Sequence, residues 1–293
     1  MLSYTPTPVQ EFHDERLHRA GIRVLVKRED LNHPLVSGNK WWKLLYNLQE
    51  AQRLGKQTLL TFGGAYSNHI YATAAAAREL GFNSIGIIRG EETLPLNATL
   101  RFASAQGMQL QYISREDYRQ KDSAEFQERL YQQYGDMYII PEGGTNALAV
   151  QGCVEFAQTF REIPFDYVCL AVGTGGTMAG LIDGLDPHKR IIGVSTLKGD
   201  FLKTEVSSLI RNKEADNWSI LTDYHHGGYA KTTPDLLAFM QHMERDHNLP
   251  LDQVYTAKMM WAIIQEGKRG VFERGSTVLA IHTGGLQGRV QQF

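Results

Sequence analysis

Cysteine is scarce in this chain: only Cys153 and Cys169 occur among 293 residues. They form neither a C-x-x-C pair nor an extracellular framework, so a disulfide scaffold and a structural zinc have little support and two ordinary buried thiols are expected. Charge of one sign is missing too, because Lys+Arg 30 nearly cancel Asp+Glu 32 for a net charge of −2. Without a basic run, neither nucleic acid nor a membrane surface is expected as a partner. No uninterrupted apolar stretch is long enough to span a bilayer, and Met1 to Pro8 lack the basic and apolar segments of a signal peptide. Cytoplasmic residence is therefore the expectation. The signatures H-E-x-x-H, G-x-S-x-G and G-x-x-x-x-G-K-[ST] are all absent, which removes support for zinc-peptidase, α/β-hydrolase and P-loop readings. The pair His225-His226 has no carboxylate or cysteine at ligand spacing, so it reads as loop and no metal is expected.

Apolar residues make up 42% of the chain, enough for a sizeable core in one long domain or two lobes. After residue 57, β-type runs alternate with amphipathic helical runs, the pattern of an α/β protein with parallel sheets. The expected strands are Thr58 to Phe62, Ser84 to Ile88, Gln109 to Ile113, Tyr138 to Ile140, Tyr167 to Val172, Arg190 to Ser195 and Thr277 to His282. The expected helices are His69 to Leu80 with Gly81 as its cap, Asn97 to Gln106, Ser123 to Tyr134, Leu148 to Arg161, Pro234 to Asp246 and Ala257 to Lys268. No repeat or long linker marks a boundary.

Three glycine- or asparagine-containing segments stand where chemistry is easiest to build. Ser37-Gly38-Asn39-Lys40 sets a lysine at the mouth of a helix, soon after the apolar run Val24-Leu25-Val26. Gly38 permits close backbone approach, Asn39 sets an amide beside the amine, and Trp41-Trp42-Lys43-Leu44-Leu45 begins an apolar face able to bury the lysine stem and lower its pKa. A neutral amine of this kind is able to form a Schiff base. Gly63 to His69 closes one strand and opens a helix, so Ser67, Asn68 and His69 face the crevice at the carboxyl edge of a sheet, where a substrate carboxylate fits. Read alone, Ser67 or Asn68 is equally a simple N-cap. Gly173-Thr174-Gly175-Gly176-Thr177 joins a strand to a helix starting near Met178, which suits a phosphate. A dinucleotide loop is disfavoured there, because Met178 stands where the third fingerprint glycine belongs and Val194-Ser195-Thr196 offers no ribose-binding carboxylate.

Taken in order, Thr5-Pro6-Thr7-Pro8, Lys27 to Leu31, Ser37 to Lys40, Gly63 to His69, Pro141-Glu142-Gly143-Gly144, Gly173 to Thr177 and His282-Thr283-Gly284-Gly285 resemble the fold-type II pyridoxal phosphate enzymes. More closely, they resemble the 1-aminocyclopropane-1-carboxylate (ACC) deaminase/D-cysteine desulfhydrase family, over residues 5 to 288. The resemblance implies a tryptophan synthase β-like α/β fold: two open, twisted, mostly parallel sheets flanked by helices, with the active site between the lobes. It implies a discontinuous large lobe of residues 1–43 and 149–293 and a small lobe of 44–148. It also implies pyridoxal 5'-phosphate as cofactor, a small amino-acid substrate and a homodimer.

By the same resemblance Lys40 carries the cofactor, Gly173, Thr174, Gly175, Gly176 and Thr177 hold its phosphate, and Asn68 contacts the pyridine 3′-oxygen. Ser67 and His69 hold the substrate carboxylate, and two active-site tyrosines fall on Tyr229 and Tyr255. At two specificity positions this chain has Thr256 and Thr283, where true ACC deaminases typically carry Glu and Leu, which leans toward β-elimination from D-cysteine, with ACC ring opening as runner-up. A neutral Thr283 hydroxyl near the pyridine nitrogen also favours elimination over transamination. Lys40 is expected to act as the base at Cα, and Tyr229 or Tyr255 to protonate the leaving group. The chain departs from the family at Trp41-Trp42, whose bulk is expected to narrow the entrance. A competing class is an α/β module whose glycine loops hold some other phosphate ligand without catalysis.

Overall fold

The computed structural model describes residues 2–289; Met1 and residues 290–293, which include the outer ends of the expected large lobe, lie outside the described residues. The described strands are β1 (Val9–Phe12), β2 (Arg23–Lys27), β3 (Thr58–Gly63), β4 (Asn83–Arg89), β5 (Met108–Ile113), β6 (Tyr138–Ile140), β7 (Tyr167–Val172), β8 (Arg190–Ser195), β9 (Trp218–Leu221) and β10 (Thr277–Ile281). The described α-helices are α1 (Glu15–Ala20), α2 (Asn39–Arg53), α3 (Asn68–Leu80), α4 (Ala98–Ala105), α5 (Arg115–Tyr118), α6 (Ala124–Tyr134), α7 (Ala147–Gln158), α8 (Gly176–Gly184), α9 (Leu202–Leu209), α10 (Pro234–His247) and α11 (Thr256–Arg269).

Two sheets result: a six-stranded one in the order β1-β2-β10-β7-β8-β9 and a four-stranded one in the order β5-β4-β3-β6. Every pairing is parallel except β1 with β2. The seven strands expected after residue 57 are present. Three further strands lie outside the expected set: β2 over the apolar run Val24-Leu25-Val26, the edge strand β9 and the antiparallel β1; the last two are short, and β1 alternates more and less exposed positions as an edge strand does. The interior strand β7 is instead buried along its whole length, as a strand covered on both faces must be.

The chain passes from the large sheet to the small one along α2 and returns along α7. These helices pack closely because Gly152 of α7 leaves room for the backbone of α2: a Cβ there would lie 2.0 Å from the Trp42 carbonyl oxygen. On its other side α7 meets α8, where a Cβ on Gly180 would lie 2.2 Å from the Cys153 Cβ. Thus α2, α7 and α8 form one tightly interlocked layer. Both cysteines are free and buried.

The tryptophan pair lies in this layer rather than at an entrance. Trp41 and Trp42 are 6% and 5% exposed, both meet the Tyr4 ring at an angle, Trp42 stacks on Phe156, and their indole N–H groups donate to the Ser3 carbonyl at 2.9 Å and Glu29 Oε1 at 2.8 Å respectively. Successive helical residues point about 100° apart, so a side chain adjacent to Lys40 need not share its face. The expected narrowing of the entrance does not occur, since neither tryptophan lines the cavity. Glu29 itself, within the motif Lys27 to Leu31, accepts from Thr7 and Asn32 as well as Trp42, a buried structural knot.

Candidate active site

The first turn of α2 delivers Lys40, and it does so through Gly38. That residue has φ 71°, and a Cβ on it would lie 2.0 Å from the Thr283 carbonyl oxygen, so only glycine allows this turn to lie against the end of β10. The Asn39 side chain then bridges two parts of the site: its Nδ2 donates to Thr177 Oγ1 at 2.9 Å, and its Oδ1 accepts from Lys40 Nζ at 3.2 Å. Burial lowers the Lys40 amine to about 8, while Cys153 and Asp252 pull the other way. A neutral, nucleophilic amine is therefore accessible near neutral pH.

One turn further along, Lys43 faces the same space, a residue that the motif reading passed over. Its side chain is 1% exposed, and Nζ donates to Thr145 Oγ1 at 2.6 Å and Thr174 Oγ1 at 3.2 Å. Among the described residues no carboxylate lies within ion-pair distance of it. Burial and the nearby Lys40 hold its pKa well below the ordinary lysine value. Beside it, β7 ends at Val172, just before Gly173, and α8 begins at Gly176; Gly175 has φ 79°, and a Cβ on Gly176 would lie 3.3 Å from the Lys43 Cε. A buried lysine amine that an anion would keep protonated, two hydroxyls and a helix N-terminus converge on one point, an arrangement that suits an anion.

On the opposite side, Ser67 caps α3 by accepting from the N–H groups of His69 and Ile70. Asn68 has its Oδ1 held by Gln287 Nε2 at 2.6 Å, which leaves the amide N–H groups as donors toward the cavity. Gly285 is needed beside it, because a Cβ there would lie 2.6 Å from Asn68 Nδ2. His69 is 1% exposed. Thr61 Oγ1 donates to the Ile140 carbonyl and so accepts from His69 Nε2 at 2.8 Å, which fixes the neutral ring as the Nε2–H tautomer and leaves buried Nδ1 unpartnered. Burial, with Lys40 and Lys43 nearby, keeps this ring well below the ordinary histidine pKa. Its one N–H is thus committed to Thr61 rather than free for a carboxylate.

The remaining wall carries two phenols. Tyr229 and Tyr255 have ring centroids 6.3 Å apart at 70°, and a Cβ on Gly173 would lie 3.2 Å from the Tyr255 ring. Burial raises both phenol pKa values, Tyr255 the more so with Tyr229 beside it, so both keep their protons at neutral pH. Lys40, Lys43, Ser67, Asn68, His69, Gly173 to Thr177, Tyr229, Tyr255 and Thr283 all line one cavity of about 570 Å³, a size ordinary for a cofactor or small-ligand site. Thr256 is set apart. It is fully buried and does not line the cavity, and its hydroxyl donates to Asp252 Oδ1 at 2.8 Å. Arg89, Lys121 and Glu142 stand at the small-sheet side of the same cavity, with Lys121 and Glu142 paired at 3.4 Å. Among the described residues no cluster of side chains suits a metal ion.

Two parallel sheets with a lysine of lowered basicity at one helix mouth and an anion cradle at another define a cofactor-dependent α/β enzyme of the second pyridoxal phosphate fold type. The chain belongs to the family described as pyridoxal-phosphate dependent enzyme, whose model matches residues 1–284. A Thermotoga maritima protein provisionally named a 1-aminocyclopropane-1-carboxylate deaminase is 33% identical over 99% of this chain and 97% of its own length. The mitochondrial bifunctional D-cysteine desulfhydrase/1-aminocyclopropane-1-carboxylate deaminase of Arabidopsis thaliana is 31% identical, over 98% of this chain and 78% of its own. Among solved structures, one described as an ACC deaminase homologue superimposes with a TM-score of 0.86 at 28% identity, covering 98% of this chain and 92% of that one.

The cavity suits pyridoxal phosphate on its own evidence. Lys43 is a buried amine with only hydroxyl partners beside a glycine cradle, Lys40 is a weakened amine, and Asn68 holds its donor free. This protein is a pyridoxal phosphate-dependent enzyme. Among the described residues no helix is long and apolar enough to cross a membrane.

Proposed function

We propose that the enzyme catalyses β-elimination from a small amino acid, D-cysteine foremost, giving pyruvate, sulfide and ammonia with the uptake of one water. The observation that carries this reading is that an amine of lowered basicity and a pair of protonated phenols line a single cavity. Elimination needs both: a base to take the Cα proton, and an acid to protonate the departing sulfur.

Pyridoxal phosphate, when bound, supplies an electron sink for charge developing at Cα. Lys43, Thr174 and the N–H groups opening α8 would hold its phosphate, Lys40 its aldehyde carbon, and the Asn68 amide its ring oxygen. With the substrate bound, the Lys40 Nζ amine would accept the Cα proton. The Ser67 turn orients the substrate carboxylate, with His69 supporting it by the contact of its ring with Thr61. Tyr229 or Tyr255 gives its proton to sulfur. Thr283, which lines the cavity, would meet the ring nitrogen of the cofactor with a neutral hydroxyl instead of a carboxylate, a setting that favours loss of a leaving group at Cβ.

ACC ring opening to 2-oxobutyrate is the second reading, favoured by the names that several relatives carry. Thr283 supports D-cysteine over ACC; Thr256, enclosed by its bonds to Asp252, acts on that choice only at one remove. The test is product analysis on the purified enzyme. Sulfide and pyruvate from D-cysteine are expected, and 2-oxobutyrate from ACC with no sulfide from D-cysteine overturns the assignment.

We further read residues 1–43 with 149–293 as one lobe and 44–148 as the other. The strands of the six-stranded sheet fall in the first range and those of the four-stranded sheet in the second. Homodimerisation is our expectation for the family, to be checked by sedimentation. Residence in the cytoplasm accords with two free, buried thiols.

A further inference from the structure

The segment that carries Tyr229 has a backbone that ordinary residues avoid. His226, Gly227, Gly228 and Ala230 have φ values of 49°, 97°, 114° and 55°. Two of these are not glycine, so the surrounding structure must hold the segment in place. What holds it is Lys258, which comes from α11. Its side chain is fully buried, and Nζ donates to the carbonyl oxygens of His225 at 2.8 Å and Gly228 at 2.9 Å. Among the described residues no carboxylate lies within ion-pair distance of Lys258; its direct partners are the two backbone carbonyls, with Asp252 attracting it from further off. The Gly228 N–H also donates to the His225 carbonyl at 3.0 Å, so both oxygens belong to one closed turn.

We propose that Lys258 is a positioning residue for the reaction: a tethered internal cation around which the turn 225–228 folds, setting the Tyr229 phenol opposite Tyr255. Four residues before α11 starts, Asp252 does the matching task for the second ring. Its Oδ2 accepts from the N–H groups of Val254 and Tyr255, and its Oδ1 from the N–H and hydroxyl of Thr256. The stretch Asp252 to Lys258 therefore fixes both phenols, one directly and one through the turn. This inference rests on the proposed proton donation by a tyrosine only for its kinetic readout.

The test compares Lys258→Ala, Lys258→Met and Tyr229→Phe in the cofactor-loaded enzyme. Lys258→Ala is expected to lower kcat with D-cysteine by roughly 10–100-fold, within the range of general-acid catalysis, with cofactor content unchanged. Amide hydrogen exchange of residues 226–231 is expected to speed up at least about tenfold while α11 keeps its protection. Added ammonium or potassium ions are expected to restore part of both in Lys258→Ala, where the cation site is vacated, and neither in Lys258→Met, where an apolar chain fills it. Wild-type exchange and kcat in Lys258→Ala overturn the proposal, as does exchange that rises throughout α11 with no rescue by cations. If Tyr229→Phe turns over normally, or D-cysteine is not a substrate, the catalytic reading fails. Exchange and its rescue by cations still decide the positioning claim.

Discussion

The two walls of the cavity are built differently. The wall carrying Lys40, Lys43, Asn68 and Gly173 to Thr177 consists of the ends of regular elements, drawn together by glycines whose missing side chains allow contact with neighbouring backbone. The wall carrying Tyr229 and Tyr255 is irregular chain, shaped by the side chains of Asp252 and Lys258. On the roles proposed above, the contrast separates holding a cofactor from directing what happens on it: damage to the first wall should empty the site, whereas damage to the second should leave it loaded and slow.

The largest expected effect lies on the first wall. Lys40→Ala should abolish covalent capture of pyridoxal phosphate, seen as lost colour and lost mass addition after reduction, and lower turnover by at least roughly 10²–10⁴-fold. Next on that wall, Gly38→Ala forces a Cβ onto the Thr283 carbonyl in a left-handed turn, so cofactor content and melting temperature should fall together. On the second wall, Tyr255→Phe or Tyr229→Phe should retain full colour and lose roughly 10²-fold in kcat, which stopped-flow turnover would register. A colourless tyrosine variant would break the division. A smaller effect comes from Lys43→Met: losing a charged hydrogen bond of about 1.5–3 kcal/mol should weaken cofactor affinity about 10–100-fold, while affinity for phosphate-free pyridoxal changes little.

The pH dependence sharpens the first wall further. Because burial places the Lys40 amine near 8, its reactive neutral form grows as pH rises toward that value and saturates above it. The rate at which apoenzyme captures pyridoxal phosphate should follow this rise and plateau; a rate that falls between pH 7 and 9 contradicts it. Smallest for the site is Trp42→Ala, which should cost about 3–5 kcal/mol of stability in denaturant titrations and leave the loaded enzyme's kcat near wild type.

The first wall was largely legible in its own residues, whereas on the second the family resemblance supplied Tyr229 and Tyr255 and nothing supplied what holds them, for a physical reason. Gly38, Gly63 and Gly173 to Gly176 stand where strands end or helices begin, and each marks a local demand on the backbone that short motifs record. Lys43 left no such mark: its only signal is its spacing of three from Lys40, and an isolated lysine reads as surface. Lys258 and Asp252 act on segments whose placement depends on how α11 packs, and nothing local announces it. The reading of Trp41-Trp42 as an obstruction went astray on helix direction, since adjacency in sequence is not adjacency in space. Thr256 likewise sits beside Tyr255 in the chain yet faces Asp252 instead of the cavity.

One consequence follows from the close packing of α2, α7 and α8. The helices that bring Lys40, Lys43 and the Gly173 to Thr177 loop together meet at Gly152 and Gly180, where any side chain would strike the neighbouring helix, and are locked beside these points by Trp42 stacked on Phe156. Such a layer has few ways to rearrange, so the anion cradle is assembled before any ligand arrives. Cofactor binding then spends little of its free energy on ordering the protein, and the apoenzyme should behave as a preorganised receptor.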